Sequence, residues 1–235
     1  MANFQTHLTT ATVTSGVLAS SLLIIELATP KAAFFYWLLG SLGGILPDID
    51  APKALPTRLL FTFLGLLLAA CVIVSQINQL ALWLLLPMGV GIYLTVRYGC
   101  AYLFAQFTVH RGNFHSLLAA LLFGFLTTAS VYHLLAIRAF VAWFAGLFVM
   151  LGYCVHLVTD EFYSFDFKQK KFKKSWGTAL KVVGKSDKWS ALLFIILTIG
   201  VFYFTPSTEE VTKILLHEQT YRTILIHLGL INSID

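Results

Sequence analysis

His156 and Asp160 lie four residues apart near the end of a long apolar stretch, in "HLVTDEF". At that spacing on a helix both side chains project from one face and can reach one metal ion. The same geometry produces the paired ligands of helical zinc sites. Other imidazoles and carboxylates stand beside apolar stretches: His7 in "FQTHLTT", Asp48 and Asp50 in "ILPDIDAP", and His110, Arg111 and His115 in "VHRGNFHSLL". Ionisable groups are costly in or beside hydrocarbon, so each is a functional candidate. Asp48 and Asp50 follow Pro47, and at a spacing of two in extended chain they face the same way. Their rival role is to cap a helix near residue 57 or to stabilise a proline turn. His110 and His115 are five apart and share no helical face. They fit as one loop ligand and one ligand on the first turn of the next helix.

His7, Asp48, Asp50, His110, His115, His156 and Asp160 together exceed the three or four protein ligands of one zinc. Two ions sharing a carboxylate would use them, and a two-metal site suits hydrolysis, because the ions acidify bound water and polarise the scissile ester. Zn²⁺ is favoured by mixed imidazole and carboxylate ligands, and Mn²⁺ or Fe²⁺ would accept them too. Arg111 is placed to pair with a phosphate oxygen. Glu161 would act as a base or orient a ligand histidine, and loop exposure explains it equally well. Ser116 lacks the signature of an activated nucleophile. "GSLGG" at 40–44 is not followed by the Lys-Ser/Thr of a phosphate loop and reads as helix packing. His133 reads as a packing or hydrogen-bonding group, and His217 and His227 as surface residues.

These residues need a frame to hold them. With 58% hydrophobic and 11% charged residues, the 235-residue chain is too apolar for a soluble protein and reads as an all-α polytopic membrane bundle. Apolar stretches at 10–28, 33–47, 59–75, 80–98, 115–135, 137–158 and 189–205 give about seven spans. The second is short, so it is tilted or its end is covered by protein. Residues 99–109 form an extension or a re-entrant piece. No Lys or Arg precedes Lys31, so residues 1–30 lack a signal-peptide n-region and are expected to stay in the mature protein. Cys71, Cys100 and Cys154 read as packing residues. Eight lysines between Lys168 and Lys188 mark the 159–188 loop as cytoplasmic. The run reads as a topogenic loop on anionic headgroups, with no nucleic-acid partner expected. Alternating spans then bring the N-terminus and all four polar groups to the cytoplasmic side and send the tail, 206–235, outside. That tail reads as one amphipathic helix over 207–228, with Ser207 and Glu210 as a capping box. No internal repeat or linker divides the chain, so one domain is expected.

"THL…G", "LPDID", "HRGxxHS" and "HxxxD", in this order, resemble the YdjM family of membrane-bound, predicted metal-dependent hydrolases. The resemblance runs from His7 to the glycine after "KKSW". It implies a bacterial inner-membrane protein with a metal site built from His7, Asp48, Asp50, His110, His115, His156 and Asp160. The helical pair is also distantly similar to zinc-dependent phospholipase C and nuclease sites, which implies phosphoester chemistry by analogy. The chain departs from the family pattern after Asp160, where "EFYSFDFKQKKFKKSWGTALK" replaces a shorter turn with Gly and Pro. The expected activity is hydrolysis of a phosphoester or ester in a lipid-like substrate at the cytoplasmic membrane face. The alternatives are a metal-binding transporter, for which polar residues should continue across the bilayer, and a non-catalytic scaffold, for which no metal should bind. The sequence does not set the oligomeric state.

Overall fold

Each apolar stretch becomes helical, as a backbone in hydrocarbon must satisfy its own N–H and C=O groups. The computed structural model describes residues 2–51, 54–107, 112–166, 171–172, 180–182, 188–227 and 230. Its helices are α1 (Phe4–Ile24), α2 (Pro30–Gly43), α3 (Leu55–Gln76), α4 (Leu82–Leu94), α5 (Ala101–Phe107), α6 (Leu117–Leu134), α7 (Ala139–Phe162), α8 (Lys188–Tyr203), α9 (Glu209–Leu215) and α10 (Glu218–His227). A 3-10 turn, Leu46–Asp50, follows α2. The described part of the lysine-rich loop holds a two-residue strand pair, with Phe165 opposite Phe172 and Asp166 opposite Lys171.

Among the described residues, five helical stretches are long and apolar enough to cross a bilayer: Phe4–Ile24, Leu55–Gln76, Leu82–Gln106, Leu117–Leu134 and Ala139–Phe162. The expected count of seven is therefore met only in part. At about 1.5 Å per residue α2 and α8 reach about 21 and 24 Å, less than the ~30 Å hydrocarbon core. α2 ends against α1 and α7, so protein covers its last turn. Residues 99–107 are an extension and not a re-entrant loop: a π-helical turn, Thr95–Cys100, joins α4 to α5 without reversing the chain.

α7 is the central element and packs on α1, α2 and α6. Small residues set these contacts. A Cβ on Gly152 of α7 would stand 1.9 Å from the Gly40 carbonyl oxygen of α2, and a Cβ on Gly43 would stand 2.3 Å from the Val149 carbonyl oxygen. The backbones therefore touch, and "GSLGG" is a packing motif, as its sequence implies. Gly124 of α6 and Gly146 of α7 form a second close crossing.

The bundle has two distinct ends. At one, the starts of α1 and α6 meet the ends of α2 and α7. At the other, the C-terminal segment folds over the start of α7. The tail is two short helices, not one, broken at Leu216–His217. The expected capping box does not form, because Glu210 is engaged elsewhere. Its Oε1 accepts from Arg138 Nε at 2.9 Å, and its Oε2 accepts the Phe140 N–H at 3.1 Å, so it caps α7. Trp143 Nε1 donates to the Pro206 carbonyl at 3.1 Å, and His133 Nε2 meets the Phe204 carbonyl at 2.8 Å.

Candidate metal centre

Local capping brings the ligand types to the bundle end. The Asn3 side chain accepts from Thr6 N and starts α1 just before His7. Ser116 accepts from Ala119 N and starts α6 just after His115. The His7 and His156 rings then stack, with centroids 3.6 Å apart and planes 12° from parallel. One turn beyond His156, Asp160 Oδ1 lies 3.3 Å from His7 Nε2. The same oxygen accepts the backbone N–H of Ala2 at 3.2 Å.

The close approach of α2 fixes the state of His156. Its Nδ1 stands 2.7 Å from the Gly44 carbonyl oxygen. A carbonyl can only accept, so Nδ1 carries the hydrogen and Nε2 presents its lone pair. That Nε2 is buried without a hydrogen-bond partner among the described residues and lies 3.6 Å from Asp48 Oδ1. A ligand histidine is commonly held this way, through its other nitrogen. The glycines of "GSLGG" signal close backbone approach, but nothing local shows that the Gly44 carbonyl meets His156; Gly152, four residues before His156 and on the same helical face, is a support that sequence alone did not single out.

Asp48 and Asp50 sit on the 3-10 turn, not in extended chain. At three residues per turn, side chains two apart diverge, and the pair straddles His115. His115 Nε2 is 3.7 Å from Asp48 Oδ1, and Nδ1 is 3.4 Å from Asp50 Oδ2. Neither aspartate caps the next helix: α3 begins at Leu55, and its N-cap, Ala54, brings no side-chain cap. Thr57 instead ties the turn to α3, donating to the carbonyls of Ile49 at 2.9 Å and Ala51 at 2.7 Å.

Two triads result, His7–His156–Asp160 and Asp48–His115–His156, each with ligand atoms within 4.8 Å of one another. Ligands about 2.1 Å from a tetrahedral ion stand roughly 3.4 Å apart. Three of the six separations, at 3.3 to 3.7 Å, match that spacing and the others stay within 4.8 Å, so the donor set fits a divalent metal. Since His156 offers only Nε2, it serves one ion, and the triads share a single anchor.

Electrostatics follow from burial. His7, Asp50, His115, His156 and Asp160 are at most 2% exposed, whereas the Asp48 side chain keeps 17% exposure. Asp48 therefore marks the accessible side. Burial pushes the Asp48 carboxyl up, but the His115 hydrogen bond and the neighbouring imidazoles outweigh it and hold the group below its ordinary range. Burial pushes the His115 imidazolium down, and Asp48 and Asp50 outweigh that, raising it to about 9. Asp50 belongs to neither triad and faces His115 Nδ1, the position of an orienting carboxylate. Glu161 is buried in the last turn of α7, also outside both triads. His110 and Arg111 lie outside the described residues.

A helical membrane bundle that buries a histidine–aspartate cluster at one end is the class these features define. A family model described as YdjM inner membrane protein matches residues 1–230, and the chain belongs to that family. Comparisons with curated proteins and with solved structures give no match.

Proposed function

We propose that this protein is a membrane-embedded metal-dependent hydrolase that cleaves a phosphoester or ester bond of a lipid-like substrate at the cytoplasmic face. One observation carries the reading: buried imidazoles and carboxylates from four distant segments converge, and His156 Nε2 is aimed at Asp48 with no hydrogen bond to quench it. His7, Asp48, His115, His156 and Asp160 would hold the ion, which would supply Lewis acidity and a water acidic enough to ionise near neutral pH. Zn²⁺ suits the donors, with Mn²⁺ or Fe²⁺ as alternatives. Gly44 and Asp50 fix the ligand tautomers. Asp48, on the accessible side, meets the substrate's polar group first. The lysine-rich loop supports a cytoplasmic site, with the tail on the periplasmic side.

Close packing of Gly152 against Gly40, one turn below His156, favours a site open to one face over a transport path. Elemental analysis of purified protein should find metal near stoichiometric level. His156→Ala and Asp160→Ala should each lose metal and ester cleavage while the protein stays inserted. Full metal content in both variants would remove these residues from the site. Metal uptake into proteoliposomes without cleavage would favour the transporter.

A further inference from the structure

An apolar groove runs beside the candidate metal centre, between the end of α2, the 3-10 turn and the first turns of α3. Its volume of about 440 Å³ lies within the ~300–1,000 Å³ typical of small-ligand sites. Leu42, Ile45, Leu46, Ile49, Leu60 and Phe63 line it, and among the described residues no charged side chain does. Ile49 is the decisive residue. It stands between Asp48 and Asp50, so the turn that presents carboxylates to His115 also presents an apolar side chain to the groove. The boundary between polar and apolar surface thus falls within three consecutive residues. Thr57 pins this turn to α3 through the Ile49 and Ala51 carbonyls, which fixes the groove wall before anything binds. Leu42 and Phe63, both more than half exposed, leave the groove open toward the surrounding lipid.

We infer that the groove seats one acyl chain of a glycerophospholipid and sets its polar group against Asp48 and the metal ligands. A chain in the groove and a headgroup at the turn reproduce the amphiphile's own polarity step. Lateral access from the bilayer spares the chain an exposure to water, which every CH₂ group disfavours. The inference rests on the hydrolase reading for its consequence, but occupancy of the groove is measurable without catalysis.

The test uses metal-loaded, full-length protein in phospholipid vesicles doped with a phosphatidylglycerol that carries a diazirine on one acyl chain. After illumination, peptide mass spectrometry locates the label. Labelling should concentrate several-fold on Ile45, Leu60 and Phe63 relative to Leu103 of α5, which is exposed and adjoins Phe104, whose ring meets that of Phe61 in α3 at 5.5 Å. Leu60→Trp should fill the groove and abolish that excess while metal content stays at the wild-type level. Even labelling of the groove side chains and Leu103, or an excess that survives Leu60→Trp, overturns the inference. Displacement of the label by a small excess of polyprenyl phosphate overturns it in favour of an isoprenoid chain. Cleavage is scored in the same samples. Groove labelling without cleavage keeps the lipid site and removes the hydrolase, whereas cleavage with even labelling does the reverse.

Discussion

Gly152→Ala adds one methyl group and should disable a site that it does not touch. The new Cβ would stand 1.9 Å from the Gly40 carbonyl oxygen and 2.9 Å from Gly44 N. Ordinary contact begins at 3.4 Å, so α2 must retreat by about 1.5 Å. A shift of that size takes the Gly44 carbonyl from 2.7 Å to about 4 Å from His156 Nδ1, beyond hydrogen-bond range. His156 then loses the contact that fixes its tautomer. Loss of such a support typically weakens metal binding by about 10- to 100-fold, roughly 1.4 to 2.8 kcal/mol. Overpacking should also lower stability by about 1 to 3 kcal/mol. Gly200→Ala in α8 is the control: among the described residues, no atom beyond the helix's own neighbouring backbone lies within 4 Å of its Cβ, and alanine there should be neutral or stabilise by up to about 1 kcal/mol. Competition with a fluorescent chelator reads the affinity, and a thermal midpoint in the same detergent reads the stability. Wild-type affinity in Gly152→Ala, whatever the midpoint, would refute the link from helix packing to tautomer to metal.

Asp48→Asn should release metal outright, whereas Asp50→Asn should retain it with affinity reduced about 10- to 100-fold, as measured by the same competition. The metal-free His115 imidazole, raised to about 9, carries a proton at pH 7 that a bound metal must expel. Calorimetry in buffers of different ionisation enthalpy should therefore report proton release on zinc binding, and affinity should fall as pH is lowered below about 9. Glu210→Gln should weaken the cap on α7 and cost about 1 kcal/mol in thermal unfolding, with metal affinity unchanged because it acts at the opposite end of the bundle. Maleimide labelling of single cysteines in intact cells should reach position 209 from outside and leave position 5 protected; the reverse pattern would invert the topology.

The frame and most of the clustered imidazoles and carboxylates were legible because hydrocarbon leaves a chain few options. Apolar run lengths located the helices, and the spacing of His156 and Asp160 required a shared face. What stayed hidden was set by contacts between distant segments. Nothing local to "LPDID" distinguishes extended chain from a 3-10 turn, yet that choice decides whether Asp48 and Asp50 act side by side or around His115. Glu210 reads as a partner of Ser207 because both are near in sequence, and Arg138 and the open N-terminus of α7 offer it more. Run length fixed the span count only coarsely, since α2 and α8 are apolar but shorter than the hydrocarbon core.

Ala2 and Asp160, which meet at this centre, are separated by 158 positions in the chain. During synthesis α1 therefore enters the bilayer long before α7 exists, with His7 lacking the neighbours that later surround it. Until α7 arrives, the first helix is an incomplete half of a joint, and it is poorly suited to remain alone in lipid. An ion held there would then lock α7 to the first helix, so metal supply would govern how much newly made protein matures.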